Sequence, residues 1–107
     1  MTDDDAPKRY LAVIQFAAST PVTELAKRVP GIRNFLSGLS NDEMEQFFRS
    51  PEGNTFGLFF KSKKPLPMIR SVLDGATTNA DAFMVMEIGA TAQAKGFGRA
   101  ITWLQHH

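Results

Sequence analysis

The sequence predicts an α+β fold built around an antiparallel sheet. Two segments with apolar residues at helical spacing alternate with four segments rich in branched and aromatic residues. A cluster of turn-forming residues between the second and third of these four segments predicts a hairpin with a longer loop, whose two strands are antiparallel. The predicted strands lie near residues 10–16, 44–49, 55–61 and 82–88.

The first strand is predicted because Tyr10–Phe16 consists almost entirely of aromatic and aliphatic residues. A helical region follows it, and Pro21 suits the first position of a helix. Pro30 is expected to interrupt this region, because its ring clashes with the preceding turn and its nitrogen donates no hydrogen bond. We therefore predict two helical pieces, 21–29 and 31–38.

The remaining elements are marked by turn-forming residues. Ser50–Asn54 joins the second strand to the third. Pro65 and Pro67 predict the start of the next helix, and Gly75 predicts its end. After the fourth strand, apolar residues at helical spacing within 97–105 predict an extra C-terminal helix.

The first six predicted elements follow the order strand, helix, strand, strand, helix, strand. In this order the sequence resembles the ferredoxin-like, or split βαβ, fold, a four-stranded antiparallel sheet with both helices on one face. The first and third strands would then be central. Because unrelated proteins share this fold, the resemblance implies no site residue. We expect residues 1–8 to be a disordered N-terminal tail and residues 9–107 to form a single α+β domain.

Composition excludes several classes of protein. A chain of 107 residues that is 43% hydrophobic and 21% charged is too apolar to be intrinsically disordered. A net charge of +1 argues against a nucleic-acid partner, and the absence of cysteine excludes disulfides and thiolate metal sites. The start is acidic, unlike a signal peptide, and no apolar run is long enough to span a bilayer. We expect a cytoplasmic protein without a membrane partner.

The predicted strands are apolar on both faces. A sheet with one face in water alternates apolar and polar residues along each strand. In the first strand, however, Tyr10, Ala12 and Ile14 occupy one face, and the residues between them on the other face, Leu11 and Val13, are also apolar. Two helices cover only one face of such a sheet. The second face therefore needs cover, which the sequence assigns to residues 90–107 or, alternatively, to a second copy of the chain.

Three residues are candidates for catalysis. Gln15 and Glu87 are polar residues inside otherwise apolar strands, and the first and fourth strands are neighbours in the ferredoxin-like fold, so the two side chains could lie close together. A carboxylate there would be desolvated, which suits a general acid or base, although a hydrogen-bonded carboxylate at a strand end has the same pattern. Tyr10, the single tyrosine, is the third candidate.

A second group of candidates lies near the C-terminus, at Lys95, Gly96, Gly98 and Arg99. The amides of such a segment could hold an anion at a helix N-terminus, with the two cations beside it. The glycines equally suit a tight turn into the last helix. Lys95–Gly98 also matches the first half of an RNA-recognition signature, but the aromatic residues that complete that signature are missing.

Reactive side chains are otherwise few, with no internal histidine and no metal-ligand spacing. We therefore expect no metal and no cofactor. The sequence favours a non-enzymatic module that binds a protein partner or forms a homodimer. The alternative is a cofactor-light enzyme or small-ligand-binding domain of the dimeric α+β barrel type, in which a pocket between two sheets contains Glu87, Gln15 and Tyr10.

Overall fold

The computed structural model describes residues 6–40 and 43–89. The predicted C-terminal helix lies outside the described residues. The described residues form an α+β fold of four strands and two helices, which confirms the predicted class. In chain order the elements are β1 (Lys8–Gln15), α1 (Val22–Ser40), β2 (Met44–Arg49), β3 (Thr55–Ser62), α2 (Leu66–Ala76) and β4 (Ala82–Glu87).

The four strands form one antiparallel sheet in the order β2-β3-β1-β4. β1 pairs with both β3 and β4, and β2 pairs with β3. Two pairs of strands are consequently parallel without being neighbours: β1 and β2 flank β3, while β3 and β4 flank β1. β1 and β3 occupy the centre of the sheet, where neighbouring strands satisfy both backbone edges.

The prediction of two helical pieces is wrong, because α1 continues through Pro30. Its buried residues recur at intervals of three and four on both sides of the proline, at Leu25, Val29, Ile32 and Leu36. This spacing makes one continuous apolar stripe. Pro30 itself is exposed, so water can reach the carbonyl group that lacks a helical donor. Burial of the whole stripe outweighs the roughly 3 kcal/mol that an internal proline costs a helix.

Both helices pack on the same face of the sheet, which we call the helix-covered face. Buried residues of α2, Ile69 and Leu73, join the stripe of α1 in one cluster with alternate residues of the central strands. The strand residues of this core are Tyr10, Ala12, Ile14, Phe56, Leu58 and Phe60, followed by Phe16 just after β1. Because successive residues of a strand point to opposite faces, the residues between them lie on the other face, the open face.

The turn between β2 and β3 is tied to the end of β1. Gly53 has a φ of 81°, a left-handed conformation that favours glycine. The Ser50 amide donates to the carbonyl oxygen of Thr55 at 2.7 Å. Asn54 exchanges hydrogen bonds with the backbone of Phe16, accepting at its carbonyl oxygen from the Phe16 amide and donating from Nδ2 to the Phe16 oxygen. These bonds hold the hairpin in register with β1.

Candidate functional site

The open face of the sheet is apolar in its centre. Residues that lie directly opposite each other in an antiparallel ladder share a face. Leu11 lies opposite Phe59 and Met86, and Val13 lies opposite Gly57 and Met84. With the aromatic residues of β2, these side chains form the patch that we call the open-face patch: Leu11, Val13, Phe47, Phe48, Phe59, Met84 and Met86.

A β-bulge in β2 concentrates aromatic rings on one half of the patch. The register of β2 against β3 shifts between Gln46 and Phe48, which leaves Phe47 as the extra residue. The rings of Phe47 and Phe48 are 4.9 Å apart, and Phe47 stacks on Phe59 at 4.5 Å. An ideal Cβ on Gly57 would lie 2.5 Å from Cε1 of Phe48 and 2.6 Å from Cζ of Phe47. The absence of a side chain at Gly57 therefore makes room for two consecutive rings on the open face.

The other half of the patch, on β1 and β4, is more exposed. Met84 is 53% exposed and Met86 is 43% exposed, whereas Leu11 and Val13 are partly buried. No described helix or strand packs over these four side chains. Methionine is flexible and polarisable, so it adapts to surfaces of different shape. This half can therefore take up further apolar contacts without rebuilding the sheet.

Polar residues border the patch at both ends of the strands. Arg9 lies opposite Lys61 at one end, and Gln15 lies opposite Thr55 at the other. Glu45 lies opposite Phe59 at the β2 edge. An apolar centre with a polar rim is the usual composition of a protein–protein interface.

Tyr10 is buried within the helix-covered face and has a structural role. Its side chain is 2% exposed, it stacks on Phe60 at 5.4 Å, and its hydroxyl donates to the carbonyl oxygen of Lys64 at 3.0 Å. Burial raises the pKa of the Tyr10 phenol, and the nearby carboxylate of Glu87 raises this pKa further. Both effects keep the phenol protonated and donating to Lys64.

Glu87 lies directly opposite Tyr10 on β1, so the structure brings these two candidates together. The side chain of Glu87 is nevertheless 53% exposed, and its Oε1 lies 4.0 Å from Nζ of Lys8. The desolvation expected for this carboxylate is therefore not found. The charge pair is exposed on both sides, and such pairs contribute about 0–1 kcal/mol.

The predicted proximity of Gln15 to Glu87 is wrong. Gln15 lies opposite Ala82, at the other end of the β1–β4 ladder from Glu87. Gln15 is five positions along β1 from Tyr10, which corresponds to about 17 Å, and the alternation of side chains places Gln15 on the open face. A pocket between two open faces would contain Gln15 but neither Tyr10 nor Glu87. The candidates Lys95, Gly96, Gly98 and Arg99 lie outside the described residues.

A buried ion pair was not predicted from the sequence. Nη2 of Arg28 on α1 lies 2.6 Å from Oδ2 of Asp81, whose side chain is 1% exposed. Oδ1 of Asp81 accepts the amide of Ala17 at 3.0 Å, while Oδ2 also accepts the amide and the hydroxyl of Thr78. The Arg28 guanidinium lies 4.3 Å from the ring centroid of Phe16. The only signal in the sequence is a polar loop with Thr78 three residues before Asp81.

This ion pair connects three parts of the fold: the end of β1, the middle of α1 and the start of β4. Burial raises the pKa of Asp81, but hydrogen bonds from Arg28, Thr78 and Ala17 outweigh burial and lower this pKa from 3.8 to about 2. Four donors occupy the carboxylate oxygens, which leaves no position for a substrate proton. The cluster therefore stabilises the fold.

Other features of the described chain offer little for chemistry. A shallow groove of about 530 Å³ between α2 and β4 is lined by residues of mixed charge, among them Arg70, Asp74 and Asp81. Within residues 6–40 and 43–89, no group of three or more acidic or histidine side chains is placed to hold a metal ion. No helix in this part of the chain is both long enough and apolar enough to cross a membrane.

Comparison with known proteins identifies no relative of this chain. The sequence matches no model of a protein family. No curated protein and no solved structure matches it either. The surface and contacts of this chain are therefore the basis for inferring its function.

Proposed function

We propose that this chain is a non-enzymatic module that binds a protein surface, either that of a partner or that of a second copy, through the open-face patch. The observation that carries this proposal is the patch itself, in which seven apolar side chains are contiguous and lie between polar rows. Monomeric proteins rarely leave contiguous apolar areas of more than a few hundred Å² in water. An unoccupied patch of this kind costs free energy that a bound surface recovers.

We further propose that the fold is ferredoxin-like, with an extra C-terminal helix. Three observations support the ferredoxin-like part of this proposal: the element order, the sheet order β2-β3-β1-β4, and the parallel pairs of strands separated by a third strand. The extra C-terminal helix is supported only by the helical spacing of apolar residues within 97–105. Both helices lie on one face, so the architecture leaves the opposite face for an additional layer.

A non-enzymatic role is supported by the state of the candidate side chains. The Tyr10 hydroxyl and the Asp81 carboxylate are engaged in structural hydrogen bonds. Glu87 is half exposed, and Gln15 lies on the opposite face at the other end of the ladder. The dimeric barrel alternative needs Tyr10, Glu87 and Gln15 around one pocket, but the register places Gln15 at the other end of the ladder and on the other face from Tyr10 and Glu87. Two copies of the chain that pack their open faces together, as in the dimeric barrel, would still form a homodimer.

The proposal is tested by sedimentation equilibrium of the full chain over a wide concentration range, and by capture of partners from a lysate of the native host. Met84→Lys introduces a charge in the patch, and Met68→Lys introduces the same charge on the exposed surface of α2, where Met68 is 46% exposed. Burial of a methionine side chain contributes about 1.5–3 kcal/mol. We expect M84K to weaken association or capture at least about tenfold, and M68K to leave both unchanged.

Two outcomes would overturn the proposal. One is a chain that stays monomeric at all concentrations and captures no protein. The other is association, or capture of a partner, to which M84K and M68K make no difference. Circular dichroism of both variants shows whether either substitution disturbs the fold.

A further inference from the structure

The described chain leaves the sheet beside the open-face patch. The Ile88 amide donates to the carbonyl oxygen of Arg9 at 2.8 Å, which continues the pairing of β4 with β1. The next carbonyl oxygen, that of Gly89, accepts a hydrogen bond from the Arg9 guanidinium. Arg9 alternates with Leu11 and Val13 along β1, so its side chain lies on the open face. The backbone at Gly89 is therefore held at the charged end of the patch.

Residues 90–107 are long enough and apolar enough to reach across the patch. The distance from β4 to β2 is three strand spacings, about 14 Å in total. Even at the short helical rise of about 1.5 Å per residue, these residues span about 27 Å. They include four large apolar side chains, Phe97, Ile101, Trp103 and Leu104.

We propose that residues 90–107 bind the open-face patch of their own sheet and compete there with the protein partner or second copy. This inference rests on the proposed function, because it concerns the regulation of the same surface. A segment tethered at Gly89 has an effective concentration of the order of millimolar at the patch. A partner therefore binds with an affinity reduced by the fraction of chains in which the patch is occupied.

Trp103 provides a direct test, because it is the single tryptophan of the chain. In the full-length protein, diluted until sedimentation shows a monomer, we expect blue-shifted Trp103 emission and protection from acrylamide. M84K should shift this emission to the red and increase quenching, whereas M68K should leave both as in the wild type. The inference is overturned if Trp103 in the monomeric protein is quenched by acrylamide as strongly as free indole, or if M84K does not change this quenching.

Competition is tested by substitutions in residues 90–107 that weaken their apolar contacts while the patch itself is left unchanged. Ile101→Asp introduces a charge among the apolar side chains of residues 90–107, and Thr102→Asp introduces the same charge at the next residue. If the segment competes, I101D should strengthen self-association or partner binding relative to T102D. Equal or weaker binding by I101D contradicts competition. If no variant associates or binds a partner but Trp103 still responds to M84K, the proposed function fails and the intramolecular cover stands.

Discussion

Replacing Asp81 with asparagine tests whether the buried ion pair holds the first strand, the first helix and the last strand together. Asparagine has nearly the same shape and keeps Oδ1 as an acceptor for the Ala17 amide. Its amide group replaces Oδ2, which accepts hydrogen bonds from Arg28 and Thr78. The NH2 group of the asparagine would then face the N–H donors of Arg28 and Thr78, and the Arg28 charge would lose its carboxylate partner.

The magnitude follows from the burial of the pair. Loss of one partner from a buried ion pair costs about 3–5 kcal/mol. The Arg28 side chain is 23% exposed and keeps its contact with the Phe16 ring, which partly compensates its charge. We therefore expect the lower end, a loss of about 3 kcal/mol in the free energy of unfolding. For a domain of this size that is a large part of a total of about 5–15 kcal/mol.

The pH dependence has a definite sign. The pKa of Asp81 is about 2 in the folded chain, below its ordinary value of 3.8. Folding therefore favours the ionised form of this carboxyl group. Its contribution, about 2 kcal/mol from the difference in pKa, is fully present well above pH 3.8 and is lost as the pH falls through about 2. Protonated aspartic acid resembles asparagine, so the difference between the wild type and D81N should shrink over this interval.

The measurement is urea unfolding followed by circular dichroism, at neutral pH and at stepwise lower pH. Asp74→Asn is the matched control, because Asp74 is exposed on α2, and its effect should stay within about 0.5 kcal/mol. Arg28→Met, alone and with D81N, measures the coupling of the pair, and the double variant should lose less stability than the sum of the single variants. If D81N unfolds like D74N at neutral pH, the structural role assigned to the ion pair is refuted.

Three further predictions concern buried contacts, each measured by urea unfolding. Gly57→Ala should cost about 1–3 kcal/mol, because its Cβ would lie within 2.7 Å of two aromatic rings; unchanged stability would mean that the bulge does not need glycine. Tyr10→Phe should cost about 1 kcal/mol by removing the hydrogen bond to Lys64, and in the wild type the single tyrosine should ionise above pH 10.0. An ordinary titration of this tyrosine would contradict its burial. Ser62→Ala should cost about 2 kcal/mol, because the Ser62 hydroxyl donates to Leu39 of α1 and accepts the Lys64 amide; a neutral effect would show that water replaces these bonds.

α1 is continuous through Pro30, although the local sequence predicts an interruption there. Proline is unfavourable in the interior of any isolated helix, so the residues around position 30 by themselves predict that the helix ends there. The spacing of Val29 and Ile32 around the proline was also visible in the sequence. Its energetic weight depends on a sheet that buries both residues, and this sheet is assembled from strands far away in the chain.

The residue pattern alone was sufficient to predict the α+β class, the four strands, the second helix and the apolar character of both sheet faces. These are consequences of composition and of the alternation of residues along single segments, which are local properties of the chain. Three features became visible only in the folded chain: Gln15 and Glu87 lie apart, Phe47 and Phe48 share one face above Gly57, and Asp81 pairs with Arg28. Each of these features depends on the register or packing between separate segments of the chain. A shift of one residue in the register would turn every side chain of a strand to the opposite face.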